Sequence, residues 1–127
     1  MNATALDKAT PVGFLLHAYW NPTPIRARIR QLRRRRRARR HAQPVPVPVA
    51  QARDAVSGRA LELWANQPTM QLYTGNGLNQ YTTGKDGKVY DKYGGFCLET
   101  MAYVDAVNHP EFPLITLRPG RLQVLLL

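Results

Sequence analysis

The sequence predicts an all-β fold, in the form of a partial β-sandwich, and three features lead to this prediction. Short apolar runs in which alternate residues face opposite sides recur over residues 56–127. Glycine, proline and asparagine separate these runs every few residues, as in proteins built from many short strands. No segment of useful length shows the 3.6-residue periodicity of an amphipathic helix.

The C-terminal part of the chain contains the clearest strand patterns. Residues Ala60–Asn66 alternate, with Leu61 and Leu63 on one face and Glu62 and Trp64 on the other. Further strands are predicted over residues 70–74, 95–101 and 114–117, and a turn over residues 119–120.

Composition divides the chain into three segments. Residues 1–21 form an N-terminal strand segment that carries a histidine motif and is interrupted near Gly13. Residues 22–55 are rich in arginine and then in alternating proline, which lacks a backbone donor, and we expect a disordered or loosely helical insert there. Residues 56–127 form the C-terminal β region.

The chain has a formal net charge of +10, from 18 Lys and Arg against 8 Asp and Glu, and most of the excess lies between Arg26 and Arg40. A charge of this size favours a polyanionic partner. The run lacks interleaved aromatic residues that would stack on bases, so a nucleic-acid partner is not expected, or only through this run if at all. Its contacts would come from the consecutive arginines Arg33, Arg34, Arg35, Arg36 and Arg37.

The remaining composition indicates a cytoplasmic protein. The one cysteine, Cys97, cannot form an internal disulfide, which fits a reducing compartment. The N-terminus has no apolar signal region, and no apolar stretch is long enough to span a bilayer, so no membrane partner is expected.

Two side chains could each take part in acid–base chemistry. Glu99 follows the apolar run Phe96-Cys97-Leu98, where burial would raise its pKa towards the range of a general base, although a strand-edge glutamate facing water has the same pattern. His17 lies among aromatic and leucine residues and could be either a catalyst or a hydrogen-bonded core residue.

Other classes of site have no signature in the sequence. The three histidines and one cysteine lack zinc-ligand spacing, so no metal site is predicted. The glycines near Lys85 lack the spacing of a phosphate-binding loop, and no serine lies in a nucleophile elbow.

Four motifs in order resemble the aldose 1-epimerase (galactose mutarotase) family. They lie at residues 57–76, 84–100, 105–113 and 117–120. The N-terminal motif His17-Ala18-Tyr19-Trp20-Asn21 is similar to the segment around the family's catalytic histidine. The resemblance covers the C-terminal portion of the family, and the chain is most similar to a truncated plant member.

The resemblance implies a galactose mutarotase-like β-sandwich with a sugar cleft on one sheet. It implies an isomerase that interconverts the α and β anomers of hexoses such as galactose and glucose. Glu99 would be the general base and His17 the general acid, and Gln71 would bind the sugar. The family's reaction uses no metal or organic cofactor.

The insert occupies the place of a family segment that contributes to the sugar site, and we expect the truncation to impair activity. Two alternatives therefore stay open. One is a carbohydrate-binding remnant without catalysis, and the other is a basic nucleic-acid-binding or nuclear-targeting protein that acts through the arginine run.

Overall fold

The computed structural model describes residues 2–21, 28–31 and 45–124, and almost all of their regular structure is β-strand. In chain order the strands are β1 (Asn2–Thr4), β2 (Thr10–Pro11), β3 (Tyr19–Trp20), β4 (Arg28–Gln31), β5 (Val47–Arg53), β6 (Ala60–Ala65), β7 (Thr69–Tyr73), β8 (Phe96–Met101), β9 (Thr116–Leu117) and β10 (Leu122–Val124). Two short 3₁₀ helices cover Lys85–Gly87 and Ala106–Asn108. The all-β prediction is confirmed. Within these ranges no helix has the length and apolarity needed to cross a bilayer.

Two three-stranded antiparallel sheets form the two layers of a partial sandwich. Their strand orders are β3-β8-β7 and β4-β5-β6, and the pairs β1-β10 and β2-β9 are separate two-stranded ladders. The buried cluster between the layers joins Ala50 and Ala52 of β5 to Phe96 and Leu98 of β8. Partly buried apolar side chains pack around this cluster, namely Ile29, Leu61, Leu63 and Met70.

The central strand β8 separates the core from the second face of its sheet. Successive side chains of a strand point to opposite faces, so Phe96 and Leu98 face the core whereas Cys97 and Glu99 face the other side. All four residues are nonetheless buried. On the outer face of the β3-β8-β7 sheet, Cys97 and Glu99 are therefore buried beside their neighbours, while the flanking His17, Tyr19 and Gln71 are exposed.

The prediction of disorder over residues 22–55 is wrong for Val47–Arg53, which form β5, the central strand of its sheet. Proline removes a backbone donor, but Pro48 lies at a register shift, and β4 pairs only with the later residues Ala50–Arg53. The missing N–H therefore falls at an irregularity of the β5-β6 ladder, outside the part of β5 that pairs with the described residues of β4. The small buried side chains Ala50 and Ala52 then anchor the strand in the core.

Part of the arginine run is also a strand and not a loose helix. Residues Arg28–Gln31 form β4, and Ile29 packs against the core cluster. The antiparallel pairing with β5 and the packing of Ile29 together attach this short edge strand to the sheet. The five arginines Arg33–Arg37, and the predictions made for them, lie outside the described residues.

The predicted C-terminal strands are found as β6, β7 and β8, with bounds within one residue of those expected. The fourth, over residues 114–117, is shortened to Thr116–Leu117. The N-terminal strand is interrupted around Gly13 as expected, leaving β2 and β3. The pairs β3-β8 and β5-β6 join strands from all three composition segments. The boundaries after residues 21 and 55 therefore mark changes in composition, and their use as domain boundaries stays a prediction.

Candidate active site

The outer face of the β3-β8-β7 sheet carries a row formed by Tyr19, Cys97 and Tyr73. The register pairs Cys97 with Tyr19 on β3 and with Tyr73 on β7. Because alternate residues share a face, the next row on this side lies two residues further along each strand.

That second row contains the three predicted site residues. Glu99 pairs with Gln71 on β7. On the opposite flank His17 precedes Tyr19 by two residues, which places it level with Glu99 in the antiparallel register. The central carboxylate thus lies between an imidazole and a carboxamide.

The imidazole of His17 contacts both rows. Its Nε2 lies 3.2 Å from Oε1 of Glu99. Its Nδ1 lies 3.4 Å from Sγ of Cys97. Both ring nitrogens therefore have partners on β8, and together these two contacts fix the plane of the ring.

Burial differs strongly between the two members of the pair. The side chain of Glu99 is 8% exposed, whereas that of His17 is 48% exposed. Glu99 also lies on a central strand, so the alternative of a strand-edge glutamate facing water is excluded. The carboxylate forms the floor of the site, and the imidazole forms its solvent-accessible rim.

Two tyrosines stand around the histidine. The ring centroids of Tyr19 and Tyr73 lie 5.1 and 5.9 Å from that of His17, and 6.2 Å from each other. The hydroxyl of Tyr73 accepts a hydrogen bond of 2.9 Å from the backbone N–H of Gly77. The loop after β7 is thereby tied to the aromatic side of the site.

A family model described as aldose 1-epimerase matches residues 22–122, which is most of the chain. The chain belongs to the aldose 1-epimerase family. Glu99 and Gln71 lie inside the matched range, whereas His17 lies shortly before it, so the place of His17 rests on its contacts with β8.

The chain is also similar to individual mammalian and bacterial proteins named galactose mutarotase or aldose 1-epimerase. Galactose mutarotase of Rattus norvegicus is 55% identical over 71 residues, and that of Homo sapiens is 54% identical over 71 residues. Each match covers 56% of this chain and 21% of the relative. Aldose 1-epimerase of Haemophilus influenzae is 40% identical over 53 residues, covering 42% of this chain and 15% of the relative. The chain thus matches about a fifth of the length of its mammalian relatives.

The thiol in this aldose 1-epimerase family member is held in its neutral form. Burial raises the pKa of Cys97, and the negative charge of Glu99 raises it further. A protonated thiol can donate to Nδ1 of a neutral His17, which leaves the imidazole proton on Nε2 facing the carboxylate. Desolvation also raises the pKa of Tyr19, with smaller contributions from Cys97, Tyr73 and Glu99.

Three donor types meet at the same point. One ligand atom each from His17, Cys97 and Glu99 lie within 4.8 Å of one another, close enough for the three to hold a metal ion. Sequence spacing gave no sign of this group because one donor comes from the segment before β3 and the other two from β8. Only the pairing of these strands brings them together.

The structure thus brings together all three predicted site residues, and it adds Cys97, Tyr19 and Tyr73. The missed residues have a signal in the sequence, because each lies two positions from a predicted one and so shares its face. His109 lies apart from the site in a surface group, 3.1 Å from Oε1 of Glu111.

Proposed function

We propose that the site interconverts the α and β anomers of hexoses such as galactose and glucose by acid–base ring opening. The observation that carries this proposal is the 3.2 Å contact between Nε2 of His17 and Oε1 of Glu99 on one accessible sheet face. The substrate class rests on the relatives, which are named galactose mutarotase and aldose 1-epimerase.

The short distance between the two groups suits this chemistry. Ring opening removes the proton of the anomeric hydroxyl and adds a proton to the ring oxygen. These two oxygens are bonded to the same carbon, so the base and the acid that serve them must be close neighbours. An acid and a base held far apart could not reach both oxygens of one hemiacetal.

Each proton has a defined origin and destination. The Glu99 carboxylate takes the proton of the C1 hydroxyl while protonated His17 donates its Nε2 proton to the ring oxygen. The C1–ring oxygen bond breaks, and its electron pair stays on that oxygen as the new hydroxyl forms. The C1–hydroxyl bond becomes the carbonyl of the open-chain aldehyde.

Closure on the other face reverses both roles. After rotation about the C1–C2 bond, neutral His17 takes the proton of the new hydroxyl as it attacks C1. Protonated Glu99 returns its proton to the former carbonyl oxygen. The two groups end in their starting states, so the reaction needs no other proton donor.

The neighbouring side chains support binding and orientation. Gln71, in register beside Glu99 and exposed, can donate to a sugar hydroxyl from its carboxamide. Tyr19 and Tyr73 present ring surface on which the C–H face of a hexose can pack. In protonated His17 both nitrogens donate, and the sulfur of Cys97 becomes the acceptor of Nδ1–H.

The solvent exposure of His17 determines how large a rate enhancement we expect from it as the general acid. General acid–base groups each contribute roughly 10²–10⁴-fold when positioned on the substrate. Because the His17 side chain is 48% exposed, water competes for its proton, and we expect the contribution of His17 to lie at the lower end of that range. The single cysteine fits the cytoplasm as the place where the reaction occurs.

Polarimetry on freshly dissolved α-D-galactose and α-D-glucose tests the proposal. We expect the optical rotation to relax faster in the presence of the protein, with a rate proportional to protein concentration. A rate equal to that of buffer containing an equal mass of an unrelated protein would contradict the proposed activity.

Replacing Gln71 with alanine is expected to raise KM about threefold to tenfold and to change kcat little, since a neutral hydrogen bond contributes about 1 kcal/mol. Polarimetric progress curves at several sugar concentrations measure both constants. Gln51→Ala is the matched control, because Gln51 is an exposed glutamine of the other sheet. Equal KM values for both variants and the unaltered chain would remove Gln71 from the sugar site.

A further inference from the structure

We propose that His17, Cys97 and Glu99 form a binding site for a thiophilic divalent cation such as Zn²⁺. The donors are one imidazole nitrogen, one sulfur and one carboxylate oxygen, all within 4.8 Å of one another. Binding rests on these side chains alone. Only its effect on catalysis rests on the proposed function.

The distances are close to those of a metal-bound set. Zinc bonds of about 2.0–2.3 Å in a tetrahedral arrangement separate the donor atoms by about 3.3–3.8 Å. The two contacts of His17 use different ring nitrogens, 3.2 Å from Nε2 to Glu99 and 3.4 Å from Nδ1 to Cys97, so only one of them can belong to the donor set. Whichever nitrogen binds, its separation from one partner already falls near that range. Since all three donor atoms lie within 4.8 Å of one another, a contraction of at most about 1 Å in the longest separation brings the set to the upper end of that range.

The donor types select the class of cation. Thiolate and imidazole favour zinc and similar soft or borderline ions, whereas magnesium and calcium require six or more oxygen ligands. The thiol proton of Cys97 passes to solvent when the sulfur binds the metal. The resulting thiolate and the Glu99 carboxylate together balance the charge of a divalent ion, so the bound site is neutral although largely buried.

The rim position of His17 gives the ion a route to the donors beneath it. The imidazole is half exposed, whereas Cys97 and Glu99 are buried directly below. Three protein ligands leave the fourth tetrahedral position open to water from the solvent side. An ion bound there occupies both the acid and the base, so it would inhibit mutarotation.

Titration of the intact chain with Co²⁺ provides the direct test, since Cys97 is the single cysteine and any cobalt–thiolate absorption must come from it. We expect one equivalent to produce a near-ultraviolet charge-transfer band and the intense visible bands of tetrahedral cobalt, and one equivalent of Zn²⁺ to remove them. Cys97→Ser should abolish the charge-transfer band. His109→Ala, which alters a half-exposed histidine beside Asp105 and Glu111, should preserve it.

X-ray absorption of the zinc complex of the unaltered chain gives a readout that needs no variant. We expect one sulfur at about 2.3 Å and nitrogen or oxygen ligands at about 2.0–2.1 Å. A first shell without sulfur, or a cobalt band that survives Cys97→Ser, would overturn the site. If the cobalt–thiolate band and the zinc–sulfur shell were found but the bound ion did not inhibit mutarotation, the metal site would stand and the proposed catalysis by His17 and Glu99 would be contradicted. If the metal site and the proposed catalysis are both correct, Zn²⁺ should inhibit mutarotation and chelation with EDTA should restore the polarimetric rate.

Discussion

Replacing Glu99 with glutamine is expected to lower the protein-dependent rate of mutarotation by about 10²–10⁴-fold. The carboxamide is close in shape to the carboxylate and its oxygen can still accept a hydrogen bond from Nε2 of His17, 3.2 Å away in the native pair. It cannot, however, accept a proton from the anomeric hydroxyl. The change therefore removes the base and retains the packing. Polarimetry at saturating α-D-galactose measures the loss in kcat.

A second histidine–glutamate pair provides the control for this variant. In the surface group, Nδ1 of His109 lies 3.1 Å from Oε1 of Glu111, almost the separation found in the site, but the two side chains are 45% and 62% exposed. If any adjacent imidazole and carboxylate accelerated ring opening, Glu111→Gln would reduce the rate as much as Glu99→Gln. We expect the Glu111 variant to keep full activity. Equal losses in the two variants would mean that catalysis is not located at the sheet face.

The all-β class and three strands of the C-terminal region could be predicted because their alternation is local. Residues 60–66, 70–74 and 95–101 each place apolar side chains on one face, so the pattern alone indicates β6, β7 and β8. Strand β5 is not predicted because the prolines before it and within it, Pro44, Pro46 and Pro48, outweigh the two small buried alanines that anchor it, Ala50 and Ala52. Register shifts that accommodate a proline depend on the partner strands and have no local signature.

The end strands and the site geometry depend on pairings between distant parts of the chain. Strand β1 pairs with the distant strand β10; β1 has no apolar pattern of its own, and the alternation of β10 is only three residues long. The contact of His17 with Glu99 likewise requires β3 to lie beside β8. Sequence alone offered this pair only through resemblance to a family. The sequence does not single out Cys97 as a site residue, because a lone cysteine is usually a small core residue. Only the strand pairing places its sulfur beside an imidazole.

Replacing Phe96 with alanine is expected to lower the free energy of unfolding by about 3–5 kcal/mol. Phe96 is fully buried and belongs to the cluster that joins β8 to β5, so truncation leaves a cavity between the two sheets. Urea unfolding followed by circular dichroism measures the change. Tyr81→Ala is the control, since Tyr81 is 89% exposed and its removal should alter the free energy by less than about 0.5 kcal/mol.

The same variant tests whether the core and the site are coupled through one strand. Phe96 holds the inner side of β8, and Cys97 and Glu99 project from its outer side, so loosening the strand should disturb the pair with His17. A small domain has only about 5–15 kcal/mol of stability, so the variant should unfold well below the temperature at which the unaltered chain does. We expect it to lose polarimetric activity in step with its circular dichroism signal as temperature rises. Activity that persisted after the sheet signal had disappeared would show that the acid–base pair does not depend on β8.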